Sequence, residues 1–205
     1  MENRWTREEI KLKGRLLIVL LAISIMFNFM FYIEHKHEIN QKREHNERDL
    51  ETISTIGENL ATRLDQFLND MNGSEDHDQE ELHLLLTDSW RVVLGESVNT
   101  RDYLARISPH HMESLESKWS LLQLSLFRTS DFLRHLNTKF LEQGTYDITD
   151  EEIEQLKAVV EVYRKIYEEV ESESVNPVLV IDELTEPMML IDPSYALVLD
   201  RLEQN

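Results

Sequence analysis

The chain has 205 residues, with 21 basic and 40 acidic side chains, a formal net charge of −19 and no cysteine. So acidic a polypeptide repels nucleic acid and anionic lipid surfaces, because phosphate is held by Lys and Arg. Without Cys it has no structural disulfide, which fits either side of a membrane.

Residues 1–15 are basic, with Arg4, Arg7, Lys11, Lys13 and Arg15. Residues 16–33, from Leu16 to Ile33, are 18 consecutive residues without a charge. That length nearly spans the hydrocarbon of a bilayer as a helix, and a helix satisfies its own backbone where no water can. The run is longer than the core of a secretory signal, and no Ala-x-Ala cleavage pattern follows it. Tyr32 suits the headgroup zone. The segment therefore reads as an uncleaved signal-anchor, a single transmembrane helix. Lys11, Lys13 and Arg15 lie tight against it, and short basic tails resist translocation. The expected orientation puts 1–15 in the cytoplasm and the bulk of the chain outside the cell membrane. Residues 1–33 hold five basic and three acidic side chains, which leaves 16 basic against 37 acidic and a net charge of −21 for residues 34–205.

Within the span, Ser24, Asn28 and Tyr32 fall at i, i+4 and i+8 on one face. Polar side chains there can hydrogen-bond between helices, so this face is a candidate for self-association into a homodimer. Residues 34–49 are polar apart from Ile39 and read as a helical stalk continuous with the span.

Residues 50–174 carry four amphipathic segments. In the first, Leu50, Ile53, Gly57, Leu60, Leu64, Phe67 and Met71 alternate spacings of three and four, an a/d seam. Gly73 and Ser74 break it. The second places Leu82, Leu85, Leu86, Trp90, Val93 and Leu94 on one stripe and continues toward Tyr103, Leu104 and Ile107 past a weak point near Asn99. Ser108-Pro109 suits the start of a third helix. Its stripe is Met112, Leu115, Trp119, Leu122, Leu126, Thr129, Leu133, Leu136 and Phe140, broadened by Leu121, Phe132 and Leu141. Gly144 ends it. Thr149-Asp150-Glu151-Glu152 opens the fourth with a capping box, followed by Ile153, Leu156, Val160, Tyr163, Tyr167 and Val170. Such stripes must be buried against one another. The expected fold is all-α, with one transmembrane helix, a long stalk helix and an antiparallel four-helix bundle.

Residues 175–205 form a tail. Pro177-Val178-Leu179-Val180-Ile181-Asp182 is echoed by Pro187-Met188-Met189-Leu190-Ile191-Asp192. Short apolar runs bounded by Pro and Asp suit the strands of a small hairpin, although periodicity does not separate them from short helices. Asp192-Pro193-Ser194 can start a last helix. The blocks either plug the bundle or form an apolar patch for a partner. In the second case Val178, Leu179, Val180, Ile181, Met188, Met189, Leu190 and Ile191 are the contact residues.

No Gly-rich phosphate loop, HExxH, GxSxG or Cys nucleophile is present, so neither a catalytic residue nor a cofactor is nominated. His77 and His83 with Asp76, Asp78, Glu80 and Glu81 lack the ordered ligand spacing of a calcium loop and read as an acidic helix start. Trp90, Trp119, Tyr163 and Tyr167 lie on apolar stripes and read as core; buried Tyr oxygens there still need partners. The expected function is that of a non-enzymatic, membrane-anchored scaffold, adaptor or regulator of another envelope or membrane protein. The alternative is a ligand-sensing bundle. In layout alone (span, stalk helix, outer four-helix domain) the chain resembles the sensor modules of bacterial chemoreceptors, and with 15 residues before the span it would signal through a separate partner.

Overall fold

A computed structural model describes residues 7–73, 79–107, 116–170 and 181–203. Among them are six helices and no strand: α1 (Arg7–Asn72), α2 (Gln79–Leu104), α3 (Glu116–Gln143), α4 (Asp150–Glu169), α5 (Thr185–Ile191) and α6 (Tyr195–Glu203). The chain divides into two compact units, residues 1–44 and 45–205.

The first unit is the leading part of α1. Side chains 15–38 are exposed throughout, and the helix is long and apolar enough to cross a membrane. Beyond the apolar stretch the surface is laced by i,i+4 pairs, Lys42 Nζ on Glu38 Oε1 at 2.7 Å and Gln41 with His37 at 3.1 Å. Such pairs support a polar helix by a few tenths of a kcal/mol each.

The second unit begins within the polar stretch, since Asn46 and Asp49 are already buried beside Leu50. The seam on α1 closes as its spacing requires. Leu50, Ile53, Leu60, Leu64 and Phe67 are buried, and Gly57 lets the Tyr163 ring of α4 lie directly against the backbone. Helix α2 passes Asn99 without a break. Its Trp90 Nε1 donates to Asn137 Oδ1 at 3.1 Å, and its Ser97 Oγ donates to Ser130 Oγ at 2.9 Å. Partners on α3 fall as those on α2 rise, so the two helices are antiparallel. Phe67 meets Tyr146 near the start of α4 while Gly57 meets Tyr163 further along it, so α1 and α4 are antiparallel too. Between the helices lies one core, with Trp119, Leu122, Leu126, Leu133 and Leu136 from α3 and Leu156, Val159, Tyr163 and Ile166 from α4. Burial of each such side chain is worth roughly 1.5–3 kcal/mol.

Both local end signals operate. Gly144 adopts φ 69° and its N–H donates to Phe140 O at 2.8 Å, a left-handed stop. Thr149 Oγ1 accepts from Glu152 N at 3.2 Å while Glu152 Oε2 accepts from Thr149 N at 2.7 Å, so the capping box is complete. The Ser108-Pro109 start, with Met112 and Leu115, lies outside the described residues.

Two expectations are corrected. Leu141, read as broadening the α3 stripe, is 77% exposed. It follows the buried Phe140 by one residue, a step of about 100° around the helix that turns it from the core to solvent. The second tail block, read as strand-like, is helix α5. Pro187 is tolerated because it sits in the first turn, where its missing N–H would have had no intrahelical acceptor. The deciding pattern spans both blocks. Ile181, Leu184, Met188, Ile191 and Tyr195 step by three and four, and all are buried. They lay one continuous apolar stripe on the bundle, with α5 against α4 and α3.

Candidate partner-binding surface

The tail is fastened to the bundle at several points. Tyr195 is fully buried, with its hydroxyl 2.8 Å from Ser125 Oγ on α3. Asp192 faces Arg128 at 3.2 Å. Its other oxygen, Oδ1, accepts from Ser194 N at 2.9 Å and Ser194 Oγ at 2.6 Å, which turns the chain into α6. Lys118 Nζ bonds Asp182 at 2.9 Å, Lys165 Nζ donates to Glu183 O at 3.0 Å, and Gln155 Nε2 donates to Leu190 O at 3.2 Å.

This seating splits the second apolar block by face. Met188 and Ile191 point inward and are buried, while Met189 is 45% and Leu190 51% exposed. They floor an open hollow of about 610 Å³ whose rim carries Asp182, Glu183, Thr185, Glu186 and Lys165. The Lys165 ammonium is held between Glu161, at 3.2 Å, and the Glu183 carbonyl. An apolar floor with an excess of carboxylates around it favours an apolar segment that carries Lys or Arg. The structure thus brings Met189 and Leu190 together at the surface and places Ile181, Met188 and Ile191 in the core. Val178, Leu179 and Val180 lie outside the described residues. Ser24, Asn28 and Tyr32 are exposed on the apolar stretch of α1.

Titratable groups elsewhere join helix to helix. Burial pushes the Glu152 carboxyl up, but Lys139 Nζ at 2.6 Å and the Thr149 N–H outweigh it and hold the group below its ordinary value. Arg164 of α4 pairs with Asp65 of α1. His83 packs against the Tyr146 ring at 5.5 Å with the two planes tilted by 50°, beside the aromatic cluster of Phe67, Trp90 and Phe140. Hollows of about 410 and 260 Å³ flank Tyr146. His77, Asp76 and Asp78 lie outside the described residues; among those described, no three His, Asp or Glu side chains converge as a metal site.

A buried polar layer was not legible in the sequence. Ser97 with Ser130, Thr100, Thr129 and Ser125 sit inside the bundle around Tyr163 and Tyr195. Burial pushes the Tyr163 hydroxyl up to about 12, partly opposed by the Thr129 and Thr100 hydroxyls. Those two donate to the Leu126 and Glu96 carbonyls, and Tyr163 Oη completes no well-formed hydrogen bond of its own. Burial likewise raises Tyr195, opposed by Ser125. Thr129 on an otherwise apolar stripe was the one local sign of this layer.

Set against protein-family models, curated proteins and solved structures, the chain matches none.

Proposed function

We propose that the chain is a single-pass membrane protein whose helical bundle binds another envelope or membrane protein, as scaffold, adaptor or regulator rather than as a catalyst. Residues 1–15 stand in the cytoplasm in this reading, with Lys11, Lys13 and Arg15 beside the span, and the bundle stands outside the cell membrane. The observation that carries the reading is the α5 ledge. Met189 and Leu190 are exposed side by side on a helix whose opposite face is locked into the core, within an acidic rim. Apolar area left in water on a rigid, fully anchored element is the usual mark of an interaction site. The partner's matching surface is an apolar segment bearing Lys or Arg.

The test is a pair of charge substitutions, because deletion of the tail would remove Leu184, Met188, Ile191 and Tyr195 from the core. Full-length Met189→Glu/Leu190→Glu is expected to lose the protein that co-purifies after cross-linking in membranes. Its melting temperature should stay within a few degrees of the parent, since exposed substitutions move stability by about 0.5 kcal/mol or less. Undiminished capture of the same partner by the double variant would refute the ledge as the interface.

A further inference from the structure

We infer that the span pairs with a second copy of itself through the Asn28 face, a conclusion that rests on the membrane-spanning reading. Asn28 sits about 7 Å in from the Ile33 end of the apolar stretch, at 1.5 Å per residue. Helical side chains lean toward the helix N-terminus. Its short amide is therefore aimed deeper into hydrocarbon and away from the nearer headgroups. It is exposed, and among the described residues no hydrogen bond satisfies it. In hydrocarbon that is a standing penalty, because a polar group deprived of water and of a partner is destabilising by several kcal/mol.

The side chain specifies its own remedy. A primary amide has two donors and an acceptor, so two Asn28 amides facing each other across a two-fold axis exchange reciprocal hydrogen bonds. A two-fold contact requires a self-complementary surface, and an amide is one, whereas a carboxylate or an ammonium is not. Ser24, one turn before, is small and lets the backbones approach. Leu17 and Leu21 extend the same face with spacings of four and three that suit a left-handed pair. Val19, Met26 and Met30 lie on the opposite face. The occupant is thus a parallel second span of this chain.

The absence of cysteine makes the test clean. Leu21→Cys and Met30→Cys are introduced singly into the full chain, purified, reconstituted in phosphatidylcholine vesicles at high lipid dilution and oxidised. Leu21→Cys is expected to yield covalent dimer well in excess of Met30→Cys. By resonance energy transfer between labelled full-length chains, Asn28→Leu is expected to weaken the dimer about three- to thirty-fold, the range of one interhelical polar contact in lipid. Asn28→Gln, which keeps the amide, should restore most of it. Equal yields from the two cysteines, or a dimer unmoved by Asn28→Leu, would overturn the pairing. So would monomers in the purified vesicles with cross-links in native membranes only to a different protein. Alkaline carbonate extraction of the same vesicles separates the two levels. If the chain washes off, the spanning reading falls and the pairing with it; if it stays embedded without these dimers, only the pairing falls.

Discussion

The contact between Gly57 and Tyr163 allows one substitution to be given opposite signs at two places. A methyl group added at Gly57 would stand 2.7 Å from Tyr163 Cδ1, about 1 Å inside ordinary carbon contact. The ring cannot swing aside, since Tyr163 is 1% exposed and packed within the core. Relieving the overlap means shifting α4 against α1, and overpacking of this kind is destabilising by about 1–3 kcal/mol. Against it stands the gain of replacing Gly by Ala in a helix, about 1 kcal/mol. The expected net change for Gly57→Ala is a loss of up to about 2 kcal/mol, near 2–4 °C of melting temperature per kcal/mol for a chain of this size. Gly95, in α2, has nothing within 4 Å of an added methyl, so Gly95→Ala gains the helix term alone and is expected to stabilise by about 1 kcal/mol. In a Tyr163→Ala background, itself strongly destabilised, Gly57→Ala should reverse sign and become stabilising. Urea unfolding of the full chain in detergent micelles, followed by far-ultraviolet circular dichroism, measures all four changes. Gly57→Ala as stabilising as Gly95→Ala, or with the same effect whether or not Tyr163 is present, would show that α1 and α4 do not meet there.

Two pH-dependent outcomes follow from the same core. The Tyr163 hydroxyl titrates near 12 when folded and near 10 when unfolded, so the stability it contributes is complete below pH 10 and is lost as the pH rises toward 12. That difference corresponds to about 3 kcal/mol; Tyr163→Phe should remove that part of the alkaline decline and, because the hydroxyl completes no hydrogen bond, leave neutral stability almost unchanged. Melting curves of both proteins from pH 8 to 12 decide it, and identical declines would refute the assignment. Glu152 is shifted the other way. Its folded pKa lies below 4.5, so its contribution is present above pH 4.5 and fades as the pH falls through the folded value. Glu152→Gln should therefore melt below the parent at pH 7, with the two curves converging in acid; a gap that stays constant down to pH 3 would mean that Lys139 and Thr149 do not stabilise the carboxylate.

What could be read from the sequence was whatever is local. The seams on α1, α3 and α4 are periodic in the residues themselves, and the Thr149–Glu152 box and Gly144 are end signals that need no tertiary partner. The tail resisted because its signal is discontinuous. Pro187 and Asp192-Pro193 cut the stripe from Ile181 to Tyr195 into pieces shorter than two turns, and each piece alone resembles a strand. Only docking on α4 and α3 shows the pieces to be one surface. The same holds for the candidate interface. Four successive apolar residues, Met188 to Ile191, were nominated together, and helical winding against a neighbour then separated the two that are buried from the two that face water. Gly57 was recognisable as a position on the seam, but its reason for being glycine belongs to a ring more than a hundred residues away in the chain.

The seating of α5 and α6 also governs the order in which the molecule can be completed. Tyr195 meets Ser125, 70 positions earlier in the sequence, so the cleft on α3 and α4 stays open until residues 181–195 have left the ribosome. A product that stops before Ile181 would present that bare cleft to proteases and chaperones. Emergence of that segment thereby sets the moment at which the core can close.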